Sequence, residues 1–409
     1  MTVLPQLERE LLAAHRRANR RRRRLGWIAP AVAIGATIAV ATVFVIALRH
    51  GGSTPNATGT EPGGTAVLRA TPVNPHASLN AGVGTALGIL QHRFGAAMPT
   101  VHVSRVGDQI VLRDVTAANR ARALALAQPG RLALLDWEAN VLLPSGGTVA
   151  SGLAHQDPAA LRISQGSGTG TAGQGGGLTL FDAVKLASRQ PAKTYPLMSR
   201  VGSQLYLFGR PHSRICRAAG RAAPTPSGSC YVAGPAPSLD ALMRGLPLGT
   251  DAGEILTVPS GTVILQAADA SPGHQVAFDN PAARFFVLRD NAAIGSRQIT
   301  HPAATTDLAG SPDVTFQFDR AGTAAFHRMT AAIAHRGALV SSAGLLLNQH
   351  FGIAVDGQLL SVPQIDFKQY PSGINGSAAD VTGGFSATAA RDLAAILRYG
   401  PLPVMLSSP

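Results

Sequence analysis

Hydrophobic and polar positions change period several times along this chain. From Leu79, the residues Val83, Leu87, Leu90 and Phe94 recur at helical spacing and share one face. Residues 100–106 and 109–115 then alternate apolar and polar, with Gly107 and Asp108 between them as a two-residue turn. A second helix is predicted over 117–127, stopped by Pro129 and Gly130, and 131–137 (RLALLDW) reads as a strand. With a short strand at 65–70 ahead of the first helix, the order is strand, helix, hairpin, helix, strand. That is the order of a split βαβ, ferredoxin-like unit, predicted here over 64–137.

A second pattern fills 311–405. Residues 314–318 alternate as VTFQF, Asp319 is a helix N-cap, and Phe326, Met329 and Ile333 give the following helix its apolar face. Residues 351–355 and 358–367 are two strands joined at Asp356-Gly357, the strongest short hairpin signal. A strand at 379–383 leads to Ser386 as the N-cap of a helix that ends at Gly400-Pro401. The expected result is a small α+β subdomain, reached through a connecting segment at 251–310. Residues 138–250 show a helix at 180–188 and a strand near 205–208, but no pattern that assigns a fold.

The N-terminus is of another kind. Residues 27–48 carry no charge, and at ~1.5 Å per residue a helix there reaches roughly 33 Å, enough for a hydrocarbon core of about 30 Å. Ahead of it lies a tail, 1–26, with an arginine run at 20–24; behind it stands Arg49 alone. The positive-inside rule then places the tail in the cytoplasm and residues 49–409 outside it. A cleavable signal peptide is the competing reading, but its apolar region is normally about 7 to 15 residues long. The uncleaved single-pass anchor is the reading kept. Residues 49–63, small and polar with Pro and Gly, are a linker.

Charge changes the picture little. The net charge is +13, but residues 1–25 supply +6 of it, and only three lysines occur in the chain, so no basic nucleic-acid face is expected. The two cysteines, Cys216 and Cys230, flank a Gly-, Pro- and Ser-rich stretch, and in an exported domain such a pair reads as a disulfide closing a loop.

Particular residues carry a resemblance. The stretch 351–363, FGIAVDGQLLSVP, with Asp356 and Gly357 at its turn, resembles the hairpin in the head of the first periplasmic domain of the protein-export subunit SecD. Residues 374–403 resemble that head's closing segment, through Gly383, Phe385, Leu397, Arg398, Gly400 and Pro403. Residues 259–265 and 285–289 are similar to the segments leading into it, and 72–137, including ILQHRF at 89–94, resemble the base subdomain of the same family. The resemblance implies a non-enzymatic accessory of protein export whose partners are a translocating polypeptide or the export machinery in the membrane. In the family, transmembrane helices that help to conduct protons follow this domain. Here no second stretch of 18 uncharged apolar residues occurs before Pro409, so the expectation is a chain without its own proton-coupling helices. The alternative is a structural or envelope-binding module that keeps the fold alone.

Enzymatic chemistry finds no support in the residues. The G-x-G-x-x-G match at 168–173 lacks the acidic residue that a dinucleotide site needs about 20 positions on. His327, His335 and His350 lack carboxylates at ligand spacing, Asp319 is accounted for by capping, and Asp313 by a turn. No catalytic, cofactor-binding or metal-binding residue is expected, and no cofactor.

Overall fold

The computed structural model describes residues 64–407 apart from 74–76, 168–176, 198–201, 211–215, 217–228, 244–245, 247–252, 268–282, 308–309, 342–346 and 383–384. The expected span at 27–48, its basic tail and the linker lie outside the described residues. Among the described residues, no helix is long and apolar enough to cross a membrane.

The first elements follow the predicted order: β1 (Gly64–Pro72), α1 (Leu79–Ala97), β2 (His102–Val106), β3 (Gln109–Val115) and α2 (Arg120–Leu126). Ser78 caps α1 by accepting the Ala81 N–H. Val83, Leu90 and Phe94 then meet Leu68, Ile110 and Leu112 of the sheet in one core. The β2–β3 turn uses Gly107 at φ 61, a conformation glycine adopts without steric cost.

At β4 (Leu132–Asp136) the structure departs from the predicted 64–137 unit. Leu132 and Leu134 enter one core, while Ala133 and Leu135 enter another on the opposite face. The ferredoxin-like sheet could not bury both, because its outer face carries the exposed Thr65, Arg69 and Arg113. So β4 joins a different sheet, covered on both sides.

The stretch expected as an insert of unassigned fold, 138–250, supplies much of that cover. It holds α3 (Trp137–Asn140), α4 (Val149–Ala154), α5 (Pro158–Ser167), α6 (Leu180–Ser188), β5 (Gln204–Gly209), β6 (Cys230–Ala236) and α7 (Leu239–Met243). β7 (Glu254–Val258) completes a three-stranded sheet in the order β6-β5-β7. Trp137, Val149, Leu153 and Ile163 pack on Leu135 and on two further strands, β8 (Thr262–Gln266) and β9 (Phe285–Arg289). Phe181 and Val184 of α6 share a core with Phe285 and Ile264. In packing terms this stretch is part of the main body.

The remaining elements are β10 (Ile294–Gly295), β11 (Ile299–Thr306), β12 (Pro312–Phe318), α8 (Arg320–Val340), β13 (Gln349–Val355), β14 (Gln358–Ser361), β15 (Gln364–Ile365), β16 (Ala378–Thr382), α9 (Ala387–Arg398) and β17 (Val404–Ser407). The predicted Asp356-Gly357 hairpin forms between β13 and β14. Both turn residues have positive φ, 51 and 84, as a type I′ turn requires. Its strands lie in the central sheet β10-β4-β13-β14-β8-β9, whereas β11-β12-β16 form a separate sheet. The subdomain expected at 311–405 therefore draws on two sheets. One core unites them: Phe326, Met329 and Ile333 of α8 and Ala390, Leu393 and Leu397 of α9 meet Phe316, Val381 and Phe351.

The last strand returns to the beginning. β17 pairs antiparallel with β1, giving the order β17-β1-β3-β2. The ferredoxin-like unit is α+β as expected, but its closing strand is Val404–Ser407, and everything from β4 to α9 is inserted before it.

The chain thus leaves this unit near 127–131 and re-enters near 399–403, and one side chain holds both crossings. Arg93, fully buried in α1, donates from Nη1 to the carbonyls of Leu126 (3.0 Å) and Gln128 (2.5 Å). Its Nη2 donates to the carbonyls of Pro129 (3.0 Å) and Gly400 (2.6 Å). The Leu402 N–H also reaches the Pro129 carbonyl at 2.8 Å. Gly130 sits at φ 80, and a Cβ there would stand 2.4 Å from Arg93 Nη2. Burial pulls the Arg93 pKa down to about 10, opposed by the charge of Asp356, so the guanidinium keeps its charge at neutral pH. Arg93→Met, which keeps bulk but leaves buried carbonyls without donors, should cost about 3 kcal/mol or more in denaturant unfolding. Arg93→Lys, with one ammonium in place of a fork, should fall between. A loss under about 1 kcal/mol for the Met variant would show that the crossings do not depend on Arg93.

Candidate functional site

A cleft of about 560 Å³ is lined by α2, α9 and the β13–β14 hairpin. α2 contributes Ala121, Leu124 and Ala125, and α9 contributes Ala389, Leu393 and Ile396; each set falls on one helical face. The hairpin adds Val355 and Leu360, and Phe385 precedes α9. This is an apolar surface of the size that binding pockets occupy. The helix N-cap Ser386, which accepts the Ala389 N–H at 3.1 Å, fixes where the α9 row begins.

Four polar residues interrupt the apolar lining: Gln128, Gln358, Asp356 and Asp392. Asp392 is buried and takes a two-pronged contact from Arg122, with Nε to Oδ2 and Nη2 to Oδ1 both at 2.7 Å. This hydrogen bonding raises the Arg122 pKa further above its ordinary value. Asp356 accepts the Gly130 N–H with Oδ2 (2.7 Å) and the Arg131 N–H with Oδ1 (2.9 Å). Burial pushes the Asp356 carboxyl pKa up, while those two N–H groups and the charges of Arg93 and Arg131 pull it down; burial prevails. The tip of the hairpin is thereby tied to the outgoing chain crossing.

The residues singled out in the sequence are distributed around this site. Asp356 and Phe385 line the cleft, and Gly357 completes the turn. Leu397 is core, Arg398 donates to the Pro302 carbonyl at 3.1 Å, and Gly400 supplies a carbonyl to Arg93. The Pro403 carbonyl accepts the Val73 N–H at 3.2 Å. Gly383 and the Gly-rich match at 168–173 lie outside the described residues. Cys216 and Cys230 are bonded to one another, with Cα atoms 5.7 Å apart, away from the cleft lining. Of the three histidines, His350 Nδ1 lies 2.6 Å from Glu138 Oε1, which also accepts the Ser164 hydroxyl at 3.0 Å. That buried cluster links α3, α5 and β13. His327 is half-buried and His335 exposed on α8; among the described residues no three His, Cys, Asp or Glu gather as metal ligands. Asp319 caps α8 through the Gly322 N–H at 2.6 Å, and Asp313 accepts the Thr305 hydroxyl.

Arg93, Arg122 and Asp392 went unnoticed in the sequence. Each sits in a helix whose pattern assigns it only a polar residue, and its partners are distant in the chain. No local signal separates a buried arginine from an exposed one.

Residues 274–404 match the family model described as SecDF, P1 head subdomain. This segment is similar to the SecDF P1 head subdomain. The match begins within the segment expected to be a connector and takes in β9, β10 and β11. Among curated proteins, the chain is similar to protein translocase subunit SecD of Rhodobacter capsulatus, 33% identical over 119 residues, covering 29% of this chain and 18% of that one. It is also similar to SecD of Rickettsia conorii, 26% identical over 149 residues, covering 36% of this chain and 24% of that one. The aligned part thus spans about a quarter or less of these relatives. Among solved structures, one of SecDF, described as a membrane component that enhances protein export, matches at 16% identity with a TM-score of 0.37, covering 84% of this chain and 97% of that one. The matched segment contributes α9 and the hairpin to the cleft, while α2 comes from outside it.

Asp356→Asn tests the tie between hairpin and crossing. Asn-Gly is the better type I′ turn, a gain of a few tenths of a kcal/mol, but the amide presents an NH₂ to one of two N–H donors, a loss of about 1–3 kcal/mol. The expected outcome is a lower melting temperature. A higher one would show that the turn, and not the carboxylate, governs this point.

Proposed function

We propose that this protein is a membrane-anchored, non-enzymatic accessory of protein export. In this reading the cleft between α2, α9 and the hairpin receives apolar segments of a translocating polypeptide on the extracytoplasmic face. The observation that carries the reading is the position of the cleft: the segment matching the SecDF P1 head supplies α9, Phe385 and the hairpin, and these line an apolar space of about 560 Å³. Two independent features agree with it. The uncharged run at 27–48 is long enough to anchor the chain, with the basic tail on the cytoplasmic side. The bond between Cys216 and Cys230 suits an oxidising compartment.

The chemistry asked of the cleft is modest. Apolar side chains of a passing polypeptide gain about 25 cal/mol for each Å² removed from water, whatever their order, so the cleft would hold apolar residues without reading a motif. Its acids are already satisfied, by Arg122 and by the N–H groups of Gly130 and Arg131, and so demand no partner from the guest.

A photo-crosslinking residue placed at Ala121, exposed on the α2 row that lines the cleft, should capture nascent exported chains in cells. The same residue at Leu339, which is 70% exposed on α8, should not. Equal capture at both positions, or capture at neither, would refute the cleft as the binding site. Adducts with resident envelope proteins alone would favour the structural, envelope-binding role.

A further inference from the structure

The two helical rows that line the cleft are joined by a single ion pair. Arg122 stands on α2 between Ala121 and Leu124, and Asp392 stands on α9 between Ala389 and Leu393. The guanidinium meets the carboxylate with both prongs at 2.7 Å, and the same Nη2 also donates to the Ala97 carbonyl at 2.8 Å, at the end of α1. The Asp392 side chain is 4% exposed and that of Arg122 23%, so the contact is mostly sheltered from water and from screening by salt. A planar fork on a planar carboxylate admits one geometry, unlike a lysine ammonium, which tolerates many. The third hydrogen bond fixes the arginine end to α1. The pair therefore acts as a spacer of set length between the ferredoxin-like unit and the P1 head.

We propose that Arg122 and Asp392 are positioning residues that set the separation of α2 and α9, and thereby the size of apolar side chain the cleft admits. The cavity lies between these helices, so its width follows their separation. Small residues mark both rows, with Ala121 and Ala125 on one and Ala389 on the other. Such rows would close on each other if the spacer were lost, or part if its charges were left unpaired. Neither residue has to touch the guest. The size selection rests on the cleft binding polypeptide as proposed above; the helix separation does not.

The test uses the full chain in lipid nanodiscs, with spin labels at the exposed positions Arg120→Cys and Arg391→Cys; the native cysteines are bonded to each other and take no label. Electron–electron distances report the separation of α2 and α9. Fluorescent Gly-Ser peptides with a central Leu-Leu or Trp-Trp pair report size preference. Asp392→Asn should shift or broaden the distance distribution and change the ratio of the two peptide affinities by about tenfold. Arg122→Lys keeps the charge and loses the fork, so it should broaden the distribution in a chain that still folds. The swapped pair, Arg122→Asp with Asp392→Arg, should narrow it again. A distribution unchanged in both Asp392→Asn and Arg122→Lys overturns the proposal, whatever the peptides do. A changed distribution with an unchanged affinity ratio overturns the size selection. A changed distribution in a protein that binds neither peptide, even unsubstituted, supports the spacer and refutes the cleft as a polypeptide site.

Discussion

One buried guanidinium holds the architecture together. Arg93 is placed where the chain passes from one folding unit to the next and where it comes back, and it satisfies carbonyls from both passages at once. Carbonyls at helix ends and chain crossings lack the regular partners that helices and sheets supply, and burying them unpaired is costly. A single side chain with five donors in a fixed plane resolves this for both crossings. The glycine at 130 follows from the same demand, since the space a Cβ would need is filled by Arg93 and Ile396. Asp356 extends the arrangement to the hairpin, and α1, which carries Arg93, also receives Arg122 at its last turn.

From that junction the cleft follows. Because the outgoing and returning passages are tied side by side, α2 at the end of one unit and α9 at the end of the other come to face the same hairpin. α9 serves both units: Ala390, Leu393 and Leu397 enter the core of the head, while Ile396 enters that of the ferredoxin-like unit. The lining is apolar for a plain reason. The residues of α9 that border the opening, Leu393 and Ile396, are the same ones that enter the two cores, and Leu124 on the α2 side packs against the ferredoxin-like core as well.

The local elements were legible in the sequence because they obey local rules. The α1 face of Val83, Leu90 and Phe94, the caps at Asp319 and Ser386, and the Asp356-Gly357 turn all depend on neighbours within a few residues. The motif residues around Asp356 and Phe385 also pointed to the hairpin and to the helix that line the cleft. What failed was assignment of strands to sheets. The run LALLD was read as the last strand of the first unit, yet its two apolar faces already stated that it needed cover on both sides. The terminal VMLS carries no predicted strand, although it is the edge the first sheet required. Ion pairs such as Arg122 with Asp392, 270 residues apart, leave no trace in a periodicity.

The placement of that last edge bears on how the protein is made. Thr71 and Met405 come together across 334 residues of sequence. At ribosomal speeds of about 5–20 residues per second, β1 waits on the order of tens of seconds for its neighbour to exist. During that time the sheet has an unpaired edge, and α1 covers a core that still lacks Leu402 and Val404. The first unit to be synthesised is therefore the last to be completed. The pairings β11–β12, β12–β16 and β13–β14 join strands much closer in sequence, so the body they belong to has its contacts available earlier and can serve as the folded body on which the beginning of the chain is finally closed.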